Sequence, residues 1–105
     1  SDDMLIIRGV NVFPTQVEEQ IFKVMGLAPH YQLVVTREGR MDQLEVLVEA
    51  ADPAETSSLK DCAAAELAHH IKGAIGVTAK ITVAEPGSVA RSEGKAKRVV
   101  DRRHP

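Results

Sequence analysis

The chain has 105 residues, of which 44% are hydrophobic and 27% charged, and these are the proportions of one globular domain with a modest core. Its net charge of −2 and its three aromatic residues argue against a nucleic-acid binder, and no apolar run approaches the roughly 20 residues of a membrane span. The single cysteine excludes an internal disulfide and favours a reducing cytoplasm, and scattered histidines without a Cys-x-x-Cys motif argue against a metal site.

The first predicted elements are a strand, a glycine turn, a second short extended segment and a helix. The apolar run 4–7 stops at Arg8-Gly9, and residues 10–13 resume it. Pro14 stands where a helix favours its first residue, and Gly26 supplies a stop. The predicted apolar stripe of this helix consists of Val17, Ile21, Val24 and Met25, and its predicted acids near the positive end of the dipole are Glu18 and Glu19.

Residues 31–49 alternate between apolar and polar side chains on both sides of a Glu38-Gly39-Arg40 turn. This pattern predicts a β-hairpin with one dry face and one wet face, preceded by a connection over residues 27–30 and ended by Asp52-Pro53. The predicted dry face consists of Tyr31, Leu33, Val35, Leu44, Val46 and Val48, and the predicted wet face includes Glu45 and Glu49.

A second helix is predicted from about Glu55 to Lys72, closed by Gly73 and Gly76. Its apolar side is predicted to hold Leu59, Cys62, Ala63, Leu67 and Ile71, which makes Cys62 a small core residue and not a nucleophile. Residues 77–83 alternate as a last strand. The predicted fold class is α+β: a βαββαβ-like two-layer sandwich with two helices on one face of a largely antiparallel sheet. An irregular C-terminal tail, residues 86–105, is expected to lie over the surface.

The C-terminal tail is basic, whereas the rest of the chain is acidic. Residues 91–103 carry six cations against two acids, a net charge of +4 in a chain whose total is −2. Gly94 lets the backbone turn freely beside Lys95, whose ammonium is therefore suited to reach a phosphate or carboxylate oxygen. Two interpretations stay open from these residues: a solvated basic tail, or a tail that docks on something anionic.

Two distant segments together resemble the C-terminal domain of adenylate-forming enzymes, which include acyl-CoA synthetases, adenylation domains of peptide synthetases and luciferases. Residues 1–19, with Arg8-Gly9-Val10-Asn11-Val12-Phe13-Pro14 at their centre, resemble the hinge motif that opens that domain. Gly94-Lys95-x-x-Arg98 resembles the lysine motif that closes it. The details, including Ala28-Pro29-His30-Tyr31 and Ser92-Glu93-Gly94-Lys95, are most similar to the phenylacetate–CoA ligases. The resemblance covers essentially the whole chain.

The resemblance implies two half-reactions, in which ATP converts a carboxylic acid into an acyl adenylate and the CoA thiol then displaces AMP. It implies Mg-bound ATP and CoA as substrates, with neither held tightly by this segment. Lys95 matches the lysine that acts in adenylation, and Gly94 and Arg98 match its supporting motif. Asp2 matches the hinge residue, and Gly9, preceded by Arg8, matches the glycine that lines the pantetheine channel.

The resemblance also implies that residues 1–105 are a single mobile lid domain whose partner is a large N-terminal domain. The nucleotide loop and the pocket for an aryl acid such as phenylacetate belong to that partner, so this segment alone is expected to be inactive. A homodimer stays open. One departure is that Val89 and Ala90 stand where the family often has a proline. The alternatives are a free-standing ferredoxin-like regulatory or small-anion-binding module and, less favoured, a nucleic-acid binder using residues 91–103.

Overall fold

The computed structural model describes residues 4–89 and 98–103, and in these residues the chain forms six strands and two helices. In chain order they are β1 (Leu5–Ile7), β2 (Val10–Val12), α1 (Pro14–Phe22), β3 (Leu27–Glu38), β4 (Met41–Ala50), α2 (Ser57–Ile75), β5 (Ala79–Ala84) and β6 (Val99–Asp101). Strands β1 and β2 form a small antiparallel hairpin, and the other four strands form one sheet in the order β5-β4-β3-β6.

The four-stranded sheet is built on the long antiparallel hairpin of β3 and β4, which turns at Gly39 and Arg40 as predicted. Strand β5 joins β4 and strand β6 joins β3, both in parallel, so the sheet is mixed. Both helices contact each other and contribute to one buried cluster with the hairpin. The α+β sandwich is therefore confirmed. The dry face is buried as predicted, at Tyr31, Leu33, Val35, Leu44, Val46 and Val48.

Helix α1 starts at Pro14 as predicted, and the side chain of Gln16 accepts a hydrogen bond of 3.0 Å from the N–H of Phe13. The helix ends at Phe22, before Gly26. Met25 is therefore beyond the helix, where helical spacing no longer applies, and it is 93% exposed; its predicted burial is wrong. The predicted first-turn placement of the two glutamates, Glu18 and Glu19, is also wrong, because no acid lies in the first turn.

Helix α2 is longer and starts later than predicted. The hydroxyl of Thr56 accepts a 3.2 Å hydrogen bond from the N–H three residues on, and this cap starts the helix at Ser57. Gly76 ends it with a left-handed φ of 91°, as the glycine signal predicted. Gly73 lies inside the helix, so the predicted end at Lys72 is wrong.

Two of the five predicted core positions of α2, Leu59 and Cys62, are wrong. Ala63, Leu67 and Ile71 are buried, whereas Cys62 is exposed. Cys62 lies about 100° around the helix from Ala63, and that rotation carries it off the packed face. Leu59 continues the stripe by one turn but is 56% exposed, since it lies before the packed part of the helix.

Two segments that were predicted as irregular contain strand. Residues 27–30 belong to β3, whose pairing with β4 shifts register between Leu27 and Tyr31. Residues 99–101 of the tail form β6: the N–H of Leu33 donates to the carbonyl of Arg98 at 2.7 Å, and the N–H of Arg102 donates to the carbonyl of Val35 at 2.7 Å. A three-residue strand is too short to show an alternating pattern, so only the exposed edge of β3 reveals it.

Charged side chains fasten β6 and the β1–β2 hairpin to the sheet. Arg103 donates to Asp42 at 3.0 Å, to Asp101 at 2.9 Å and to the carbonyl of Ile6 at 2.7 Å. The hydrogen bond from Arg37, 2.8 Å long, holds the pKa of Asp42 below its ordinary value of 3.8, with further contributions from Arg8 and Arg103. The hydrogen bond from Arg103 likewise lowers the pKa of Asp101.

We expect Leu67→Ala to lower the free energy of unfolding by about 2–5 kcal/mol, because it empties a fully buried position. The matched control is Leu59→Ala, on the same helix and the same stripe, which should cost less than about 1 kcal/mol. Urea unfolding of the two variants measures the difference. Similar costs for both would contradict the packing described for α2.

We expect the stability of the domain to fall as the pH drops below about 4. The pKa values of Asp42 and Asp101 are lowered in the folded state, so the stabilisation is present above the unfolded pKa and is lost as the pH falls through the folded values. Asp42→Asn should reduce the melting temperature at pH 7 and weaken its dependence on pH between 5 and 2, whereas the exposed Asp61→Asn should change neither. An unchanged acid dependence in Asp42→Asn would refute this role.

Candidate functional site

The structure describes only some of the residues that the sequence singled out. Arg8, Gly9 and Arg98 lie within the described residues, whereas Asp2, Gly94 and Lys95 lie outside them. The candidate site therefore consists of the turn that carries Gly9 and of the described residues that flank positions 90–97, the part of the chain that contains Lys95.

Gly9 occupies the two-residue turn between β1 and β2, where Ile7 pairs with Val10. Both turn residues have positive φ, 49° at Arg8 and 77° at Gly9, as this class of hairpin turn requires. Gly9 is exposed, and no described atom lies within 4 Å of the position that a β-carbon would take. Within this domain Gly9 therefore allows the positive φ that the turn needs. It also leaves the exposed surface of the turn without a side chain.

The turn is tied to the sheet through Arg8. Its guanidinium donates to the carbonyl of Thr78 at 3.2 Å, just before β5, and its backbone N–H lies 3.5 Å from a carboxylate oxygen of Asp42. Asp42 is the same carboxylate that pairs with Arg37 and Arg103. The position of Gly9 thus depends on a network that also holds the end of the described chain.

Arg98 is stacked on the domain. Its guanidinium carbon lies 4.5 Å from the centroid of the Tyr31 ring, and one guanidinium nitrogen lies 3.5 Å from the carbonyl of Pro29. Tyr31 is buried, and its hydroxyl oxygen lies 3.0 Å from a carboxylate oxygen of Glu18 and 3.2 Å from the carbonyl oxygen of Pro14, two acceptors for its one proton. Arg98, the last residue of the lysine motif, is thereby fixed to β3 and, through the tyrosine, to α1.

Glu49 is a residue whose placement the sequence pattern missed. It was predicted on the wet face, but only 1% of its surface is exposed. One carboxylate oxygen accepts a 2.9 Å hydrogen bond from the N–H of Gly87, and the other accepts a 2.9 Å hydrogen bond from the N–H of Val89. These charge-assisted bonds offset the cost of burying a carboxylate. The sequence shows an acid at the end of an alternating strand, and it shows a later break at Pro86-Gly87. Nothing in the sequence indicates that the two come into contact.

The two attachments lie at the same end of the β3–β4 ladder. Tyr31 pairs with Val48, the neighbour of Glu49, so Arg98 and Val89 are held by adjacent strands. In the chain, residues 90–97, which include Gly94 and Lys95 of the lysine motif, lie between Val89 and Arg98. The described part of the basic tail is therefore not simply solvated: Arg98 and Arg103 contact the domain's own aromatic ring and acids.

Among residues 4–89 and 98–103 no group of histidine, cysteine or acidic side chains could hold a metal ion. None of the helices in the described ranges is both long enough and apolar enough to cross a membrane.

Residues 9–103 match the family model described as AMP-binding enzyme C-terminal domain. A phenylacetate-coenzyme A ligase of Aromatoleum evansii is 56% identical over 107 residues, which cover 98% of this chain and 24% of that protein. The crystal structure of a domain of phenylacetate-coenzyme A ligase from Bacteroides vulgatus has a TM-score of 0.88 and 28% identity, covering 98% of this chain and 95% of that chain.

A 2-hydroxyisobutyryl-CoA ligase in complex with 2-HIB-AMP and CoA, in the thioesterification state, also has a TM-score of 0.88. It is 34% identical, and the match covers 97% of this chain and 22% of that chain. The chain spans about a quarter of the length of the curated relatives it matches. Together these matches confirm the resemblance drawn from the two end motifs, and the chain belongs to the family of AMP-binding enzyme C-terminal domains.

Proposed function

We propose that this chain is the mobile C-terminal domain of an AMP-forming acid–thiol ligase that acts on phenylacetate. The acid and ATP would give phenylacetyl adenylate and diphosphate, and the CoA thiol would then displace AMP to give phenylacetyl-CoA. The observation that carries the proposal is the 56% identity to a phenylacetate-coenzyme A ligase across 98% of the chain. The domain's partner would be the rest of such a ligase, which would supply the nucleotide loop and the acid pocket.

In the adenylation step, Lys95 is the proposed catalytic residue. The acid carboxylate and the α-phosphate repel one another as they approach, and a desolvated ammonium placed between them offsets that repulsion. Gly94 leaves the backbone beside the lysine unhindered. Arg98 supports this role, because its stacking on Tyr31 fixes the chain three residues after the lysine.

In the thioester step, the turn at Gly9 is the proposed wall of the CoA channel. Its exposed face without a side chain leaves room for the thin pantetheine arm, and Arg8 holds the turn against the sheet. Asp2 would act as the hinge about which the domain rotates between the two steps. ATP would enter as its magnesium complex and CoA as the second substrate. We place the enzyme in the cytoplasm, in keeping with the single exposed cysteine.

In a full-length ligase that carries this domain, Lys95→Ala should lower the rate of adenylation by about two to three powers of ten, the scale for one preorganised charge contact. Pyrophosphate exchange measures this step. Thioester formation from premade phenylacetyl adenylate should be largely retained, because the lysine does not act in that step.

The control for this variant is Lys97→Ala, which removes a charge from the same motif and should cost less than about tenfold. Normal adenylation by Lys95→Ala, or an equal loss in both half-reactions, would refute the role proposed for the lysine.

Gly9→Leu should impair thioester formation far more than adenylation, because a leucine would project into the proposed channel. Adenylation should stay within about tenfold of normal, since backbone strain at one turn costs only about 1–3 kcal/mol. The control is Gly39→Leu, which places the same side chain on another exposed turn glycine with a positive φ of 61°. It should leave the ratio of the two half-reactions unchanged. Equal losses of both half-reactions in Gly9→Leu would mean that the glycine serves the fold alone.

A further inference from the structure

The buried carboxylate of Glu49 has no part in the function proposed so far. It lies in β4 on the opposite face from Val48, yet it is 1% exposed. Both of its oxygens accept hydrogen bonds of 2.9 Å, and the donors of these two bonds, the N–H groups of Gly87 and Val89, come from the segment after β5. A buried charge is costly unless it is satisfied in this way, so the position is specialised for holding that segment.

The segment that Glu49 holds leads directly into the lysine motif. Val89 is buried, and Lys95 follows it by six residues. At the far side, the carbonyl of Arg98 accepts a 2.7 Å hydrogen bond from the N–H of Leu33, and its guanidinium stacks on Tyr31. Residues 90–97 thus connect two points that are both fixed to neighbouring strands. Fixing both ends of a short connection restricts the positions that its residues can reach.

We propose that Glu49 is a positioning residue for adenylation: by binding the backbone of Gly87 and Val89, it sets the starting point of the segment that delivers Lys95. This inference rests on the proposed role of Lys95 and adds the group that places it. The carboxylate acts through the chain and does not contact the substrate. Both acceptor oxygens are used at this site, because the N–H groups of Gly87 and Val89 bind one oxygen each.

The chemistry of the side chain makes the requirement testable. A glutamine has the size of a glutamate but only one acceptor oxygen, and its NH2 group donates. In Glu49→Gln one of the two backbone donors would face another donor in a buried place, which is unfavourable. The segment should then detach on that side without any loss of side-chain volume from the sheet.

The experiment compares Glu49→Gln with Glu45→Gln in a full-length ligase that carries this domain. Glu45 lies on the same strand and the same face, and it accepts a 2.8 Å hydrogen bond from the hydroxyl of Thr82 instead of binding the segment after β5. Pyrophosphate exchange reports adenylation, and premade phenylacetyl adenylate with CoA reports the thioester step. Hydrogen exchange at the amides of Gly87 and Val89 reports the attachment itself.

We expect Glu49→Gln to lower adenylation by about ten- to a hundredfold, the scale of a misplaced catalytic group, while the thioester step stays within about threefold of normal. Amide exchange at Gly87 and Val89 should rise at least about tenfold. Glu45→Gln should change neither quantity by more than about threefold. In a Lys95→Ala background, Glu49→Gln should cause no further loss of adenylation, because both changes remove the same contribution.

Each other outcome overturns the inference in a distinguishable way. If Lys95→Ala is crippled in adenylation but Glu49→Gln is normal, the lysine keeps its role and the positioning role of Glu49 is wrong. If Glu49→Gln loses both half-reactions equally, or loses activity further in the Lys95→Ala background, the carboxylate serves only the stability of the fold. If Lys95→Ala adenylates normally, the proposed function of the lysine fails, and the inference fails with it.

Discussion

The antiparallel pairing of β3 and β4 is the constraint on which the rest of the domain depends. Strand β5 needs the outer edge of β4, and β6 needs the outer edge of β3. The inward side chains of the hairpin form the surface that α1 and α2 cover. Since side chains alternate between the two faces of a strand, a register slip of one residue would turn Leu33, Val46 and their neighbours away from the helices.

The two candidate functional elements are attached to opposite ends of this ladder. The Gly9 turn is tied to Asp42, which pairs with Arg37 close to the hairpin turn. Val89 and Arg98, which flank residues 90–97 in the chain, are held at Glu49 and Tyr31, six or seven residues further along the strands. At about 3.4 Å per residue, the two places are separated by roughly 20 Å.

Several charged side chains in the described residues bind other parts of the chain. Arg103 binds two aspartates and a backbone carbonyl, Arg98 lies over an aromatic ring, and Glu49 binds two backbone amides. At the described positions, Arg103 joins the basic tail to Asp42 of the acidic body and also pairs with Asp101 of the tail itself.

Local sequence patterns predicted both helices and most of the strands, and they identified the motifs at the two ends of the chain. Pro14 started a helix, Gly76 ended one, Gly39 turned the hairpin and Gly9 turned β1 into β2, because these conformations depend on φ at single residues. Alternation determined the dry face, since strand side chains have a period of two. The same patterns supported the resemblance that the comparisons confirmed.

Tertiary structure alone decided which parts of each element are covered. Leu59 and Leu67 share one stripe, yet only Leu67 is packed, because burial depends on where the neighbouring layer ends. Glu49 looked solvated until the chain after β5 folded over it, and residues 99–101 became a strand because the edge of β3 offered unpaired backbone groups. These contacts join residues that lie 38 to 66 positions apart, and a pattern confined to neighbours along the chain contains no information about them.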